Sequence, residues 1–110
     1  MEKVVRDGKV AVLWSPGYGA GWYTWNKKYP QLLFHPRLVA MVEAGKRDEI
    51  ENDLVAEVVG VPADDLDIYL GGARDLEIFW VPEGEQFLIE EYDGSESFRF
   101  RSDGELWLTA

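Results

Sequence analysis

Val10 to Trp14 reads Val-Ala-Val-Leu-Trp, with no polar residue anywhere along it. A strand with one wet face alternates apolar and polar residues, so an unbroken apolar run of this length reads as a strand covered on both faces. Ahead of it lie Lys3 to Val5 and then Asp7-Gly8. An Asp-Gly pair suits a tight primed turn, because both central residues need positive φ. The N-terminal segment is therefore expected to be a β-hairpin whose second strand, Lys9 to Trp14, is ended by Pro16-Gly17.

The middle of the chain changes period. Pro36 suits the first position of a helix, where its missing N–H costs nothing. Leu38, Val39, Met41 and Val42 then share one helical face, and Gly45 is a natural stop. A second helix is expected from about Asp48 to Val59, with Ile50, Leu54 and Val58 in phase and Asp48 and Glu49 near its positive end. The short connection predicts an antiparallel helix pair. Strand patterns follow at Leu76 to Val81, Gln86 to Tyr92, Glu96 to Arg101 and Leu106 to Leu108. Glu83-Gly84, Asp93-Gly94 and Asp103-Gly104 supply the turns. The expected class is α+β: an antiparallel meander of about four C-terminal strands plus the N-terminal hairpin, packed against the two-helix hairpin. The 110 residues suffice for a single globular domain, 1–110, with its own core.

Charge narrows the partners. Acidic residues number 21 against 11 basic, a formal net charge of -10. That field repels nucleic acid backbones and anionic membranes, so neither is an expected direct partner. A partner selected by charge is a basic protein or a cation, although the same charge also serves solubility. The absence of cysteine excludes disulfide frameworks, thiolate nucleophiles and cysteine zinc sites. The N-terminus has no signal-like apolar run, and no stretch approaches a spanning helix, so a cytoplasmic location is expected.

Ser15 to Trp25 is the one stretch unlike the rest, with three glycines and four aromatics. Its Gly17-x-Gly19-x-Gly21 frame matches neither the dinucleotide fingerprint nor the phosphate loop. Glycines let a backbone approach a ligand closely, and aromatic faces stack on planar rings. One reading therefore makes the loop a wall for a small planar, nucleotide-like ligand. Tyr18, Trp22 and Trp25 would stack, Gly19 and Gly21 would allow close approach, and Lys28 would meet negative charge. Gly71, Gly72 and Arg74 form the natural second wall. The competing reading packs the aromatics back onto the sheet and leaves Arg74 to pair with one of the many carboxylates.

Catalytic constellations do not stand out. His35 is the sole histidine and is expected to cap or pack at a helix start. Ser15 lacks the Gly-x-Ser-x-Gly frame of a nucleophile elbow. Asp64, Asp65 and Asp67 are the densest acidic group, but the stretch lacks the spacing of a calcium loop. No enzymatic activity, cofactor or metal is expected, and a homo-oligomer is left open.

Val12 to Trp22, Gly71-Gly72-Ala73-Arg74-Asp75-Leu76-Glu77, Trp80-Val81-Pro82-Glu83-Gly84 and Glu91-Tyr92-Asp93-Gly94 together resemble small uncharacterised proteins found in phage and prophage genomes. The resemblance implies a viral protein acting in the host cytoplasm, and a non-enzymatic role against a host defence system. Two such roles are implied. One is the sequestering of a nucleotide-like signal by the loop. The other is an acidic inhibitor, anti-CRISPR-like or DNA-mimicking, whose Glu49, Glu51, Asp53, Glu57, Asp64, Asp65 and Asp67 face a basic nucleic-acid-processing enzyme.

Overall fold

A computed structural model describes residues 1–100 and 108–110. Among the described residues there are six strands and two α-helices: β1 (Val5–Arg6), β2 (Lys9–Trp14), α1 (Pro36–Glu43), α2 (Asn52–Val59), β3 (Glu77–Pro82), β4 (Gln86–Tyr92), β5 (Ser95–Phe100) and β6 (Leu108–Thr109). The fold is α+β, with two three-stranded antiparallel sheets in the orders β1-β2-β3 and β5-β4-β6. The expected turn at Asp103-Gly104, and the strand residues Arg101 and Leu106, lie outside the described residues.

Strand β2 is covered on both faces, as its composition demands. Ala11 and Leu13 enter one core with Leu38, Val39 and Val42 of α1 and Val55 and Val59 of α2. Val10 and Val12 enter another with Val81, Phe87 and Ile89. The first sheet is thus a middle layer between helices and the second sheet. Each Val, Leu, Ile or Phe side chain so buried contributes about 1.5–3 kcal/mol. The β1–β2 turn takes the primed geometry its residues favour, with Asp7 at φ 51° and Gly8 at φ 73°.

The C-terminal strands do not form one meander. β3 lies along β2 for its full length, from Lys9↔Pro82 to Trp14↔Glu77. β4 pairs instead with β5 on one side and β6 on the other. The Glu83-Gly84 turn therefore carries the chain between sheets. The physical reason is backbone satisfaction: β2 is buried on both faces, and its N–H and C=O groups on the side away from β1 need a strand partner. Beyond the turn, Gly84 donates to the Ala110 carbonyl and Ala110 to the Glu85 carbonyl, each at 2.9–3.1 Å, which draws the C-terminus onto β4.

The helical half also departs from its expected bounds. Arg47–Glu49 is a separate 3-10 turn, Ile50 is extended with ψ 94°, and α2 begins only at Asn52. Leaving the helix lets Ile50 bury itself in the core. It also lets Arg47 Nε donate to the Leu76 carbonyl at 2.6 Å. Asp48 and Glu49 consequently do not sit at the positive end of α2. The buried face of α2 is Val55, Ala56 and Val59, with Leu54 and Val58 at its margin. Arg37 near the start of α1 meets Glu57 near the end of α2 at 3.3 Å, as an antiparallel pair requires. Among the described residues, no helix is long and apolar enough to cross a membrane.

Candidate functional site

The loop from Ser15 to Trp25 is fastened to the second sheet by a residue that loop composition does not reveal. Glu96, at the start of β5, is 2% exposed. Its Oε1 accepts from the Ser15 N–H at 2.8 Å, and its Oε2 accepts from both the N–H and the hydroxyl of Thr24 at 2.8 Å. Its own N–H donates to the Ser15 carbonyl at 2.7 Å. One side chain therefore grips both ends of the loop. A signal for it was present, since Glu96 stands two residues before Phe98 and so on the strand's inward face.

Most of the loop is interior. Trp22 is 0% exposed and its Nε1–H donates to the Leu32 carbonyl at 2.7 Å, so it has no face left for a ligand. A substitution there would report on folding rather than binding. Gly72 packs on the backbone of Ala20 to Trp22, where a Cβ would meet Trp22 N at 3.0 Å and the Ala20 carbonyl at 3.1 Å. The Gly71-Gly72 segment is indeed the loop's neighbour, but its glycines admit the protein's own chain. At Gly21 a Cβ would meet Thr24 Oγ1 at 2.2 Å, and at Gly71 it would meet Tyr69 at 2.4 Å. These three glycines are packing devices. Gly19 is open at its Cα and donates its N–H to the Asp93 carbonyl at 2.6 Å. Tyr18 beside it is largely exposed. Tyr23 is half-buried and packs against both cores, and burial pushes its phenol up from the ordinary value.

The exposed end of the loop is different. Trp25 is 44% exposed and Tyr69 55% exposed, and their rings lie 5.4 Å apart at a 49° tilt. Neither is held by chance. Asn26 is buried between them and is fully engaged: its Nδ2 donates to the carbonyls of Trp22 (2.6 Å) and Tyr69 (2.9 Å), and its Oδ1 accepts from the Tyr69 N–H at 2.8 Å. The Tyr29 hydroxyl accepts from the Asp67 N–H at 3.1 Å, fixing the same segment one step earlier. Trp25, Asn26, Asp67 and Tyr69 wall a groove of 350 Å³ completed by Lys27, Lys28 and Ile68. Lys28 Nζ stands 3.6 Å from Asp67 at a well-exposed position. Asn26 and Tyr69 were not legible as site residues, because no periodicity or motif marks them.

Of the residues expected to meet a ligand, Trp25 and Lys28 therefore share a groove, Trp22, Gly21 and Gly72 are internal, and Gly71 is exposed but backs onto Tyr69 and Ala20. Arg74 lies in a separate cleft with Arg47. The acidic residues divide as well. Glu57 and Asp67 are paired with Arg37 and Lys28. Glu49, Glu51, Asp53, Asp64 and Asp65 are exposed, with no cation within ion-pair distance among the described residues. Among the described residues, the one carboxylate held clearly below the usual range is Glu43, through hydrogen bonds from the Arg6 guanidinium at 2.5 and 2.9 Å and the charge they carry.

His35 and Ser15 both take structural places. His35 caps α1, its Nδ1 accepting from the Arg37 N–H at 3.1 Å. Ser15 is buried and its hydroxyl donates to the Ala20 carbonyl at 3.4 Å. Among the described residues, no three histidine or carboxylate side chains converge to hold a metal ion. Comparison with protein-family models, curated proteins and solved structures returns no match to this chain.

Proposed function

We propose that this chain is a non-enzymatic binding protein whose groove at Trp25 and Tyr69 takes a small planar, negatively charged ligand of nucleotide type. The observation that carries the reading is the Asn26 clamp. A buried amide ties the Trp22 carbonyl to the Tyr69 backbone, which brings the half-exposed rings of Trp25 and Tyr69 together at one groove. Preorganised stacking surface lowers the ordering cost of binding. Lys27 and Lys28 put positive charge on the rim of a chain that is otherwise strongly acidic. In the setting that the phage resemblance implies, the ligand would be a nucleotide-like signal of a host defence system, sequestered in the host cytoplasm.

Calorimetry with a panel of mono-, di- and cyclic nucleotides tests this. A saturable heat is expected with at least one of them. Trp25→Ala is expected to weaken it about 5- to 150-fold, the worth of one stacked base at about 1–3 kcal/mol. An unchanged affinity in Trp25→Ala, or no saturable heat across the panel, would overturn the reading.

The unpaired carboxylates Glu49, Glu51, Asp53, Asp64 and Asp65 favour a second reading, in which they form a negative face against a basic nucleic-acid-processing enzyme. Capture of such an enzyme should then fall steeply as salt rises from the low to the physiological range. Capture that survives Glu51→Lys combined with Asp64→Lys would dispose of it.

A further inference from the structure

We infer that the cleft between Arg47 and Arg74 is a second binding site, for a small ligand that carries an oxyanion and an amine a short distance apart. The two arginines line one cleft of 440 Å³ together with Gly17, Asp75, Leu76 and Glu77. It shares no residue with the groove at Trp25 and Tyr69.

Among the described arginines, these two are the ones without a carboxylate partner. Acidic residues outnumber basic ones 21 to 11, and Arg6, Lys28, Arg37 and Arg99 each reach a carboxylate. Arg47 and Arg74 reach none among the described residues. Arg47 is half-buried and anchored by its Nε to the Leu76 carbonyl at 2.6 Å, which orients the guanidinium and leaves its two terminal amino groups without an acceptor among the described residues. Arg74 projects from the tight 3-10 turn Gly71–Asp75. Guanidinium groups with free donors present a planar fork that matches carboxylate or phosphate oxygens.

The same cleft carries two carboxylates, and these decide the ligand class. The Asp75 carboxylate lies against Gly17, where a Cβ would stand 2.3 Å from its Oδ2. It therefore sits on the cleft wall formed by the loop. Glu77 opens β3 beside it and is exposed. A plain anion drawn to the arginines is repelled by both acids, whereas an amine next to the oxyanion turns that repulsion into attraction. The lining is balanced, two positive against two negative, inside a molecule of net charge -10.

The test is an amide-resolved NMR titration of the intact protein with four probes. Phosphoethanolamine is compared with inorganic phosphate, and glycine with acetate, so that the phosphate and carboxylate forms of the chemistry are separated. The Gly17 and Leu76 amides are expected to shift with phosphoethanolamine or glycine, at an affinity about tenfold or more above that of the matching plain anion. Arg74→Ala, an exposed change that the fold tolerates, should weaken that binding about 10- to 100-fold, the loss of a charge-assisted hydrogen-bonded pair. Asp75→Asn should narrow the preference over the plain anion. Trp25→Ala should leave the titration unchanged, which separates this site from the aromatic groove. Equal binding of the plain anions, or shifts at Gly17 and Leu76 with none of the probes, overturns the inference.

Discussion

Glu96→Gln is expected to destabilise the protein by about 2–4 kcal/mol, lowering the thermal midpoint by roughly 10–20 °C. The change is isosteric, so packing is not at issue. Glu96 accepts from three donors, the N–H groups of Ser15 and Thr24 and the Thr24 hydroxyl. A glutamine has one acceptor oxygen and one NH₂. Whichever way the amide is turned, its NH₂ faces a backbone N–H, at Ser15 or at Thr24, and that buried donor loses its partner. Hydrogen bonds to a charged acceptor contribute about 1.5–3 kcal/mol, and leaving a buried donor unmet carries its full desolvation cost. Chemical denaturation checks the effect, with Glu83→Gln as the exposed comparison. A midpoint within about half a kcal/mol of wild type, on the scale of ordinary surface substitutions, would mean that Glu96 does not hold the loop. Because Thr24 adjoins Trp25, the same variant should also loosen the groove at Trp25 and Tyr69. Its nucleotide affinity should then fall even where the fold persists.

The loop shows why residue type alone divides so poorly into core and site. Trp22 and Trp25 are the same residue three positions apart in the same glycine-rich segment, yet one is fully enclosed and the other nearly half exposed. What separates them is where Leu32 and Tyr69 arrive from elsewhere in the chain, and no local pattern encodes that arrival. The parts that could be read were those that local chemistry determines. Val10 to Leu13 are apolar at every position, and only a strand with two covered faces accommodates that. Asp7-Gly8 and Asp93-Gly94 demand positive φ, and both adopt it. His35 before Pro36 reads as a helix start, and it caps one. Strand pairing was legible only as far as the turn residues reach. Glu83-Gly84 looks like a hairpin turn, but the neighbour of β3 is chosen by the unfilled edge of a strand more than sixty residues away, as Trp14↔Glu77 attests. The break at Ile50 is of the same kind. Its helical phase with Leu54 and Val58 is real in the sequence, and burial of Ile50 outside the helix outweighs it.

Two glycines with nearly the same positive φ should respond very differently to alanine. Gly84 has φ 87° and open space where a Cβ would stand. Gly84→Ala should therefore cost only the left-handed strain, about 1 kcal/mol. Gly94 has φ 83°, but a Cβ there would lie 2.2 Å from Ala20 N and 2.6 Å from Ala20 Cα and C. Those atoms are backbone, so no rotamer change relieves the contact. The loop itself must move away from the Asp93-Gly94 turn, and the bond from Gly19 N to the Asp93 carbonyl goes with it. Strain, overpacking and that lost bond together predict a cost of about 4 kcal/mol or more for Gly94→Ala, a large share of the 5–15 kcal/mol typical of a domain. The pair of variants isolates close approach from conformation, since only Gly94 has both. Equal midpoints for the two in denaturant would mean that the loop does not rest on the turn. A large gap would place the Asp93-Gly94 turn, together with Glu96 two residues on, as the seat on which the aromatic loop is built.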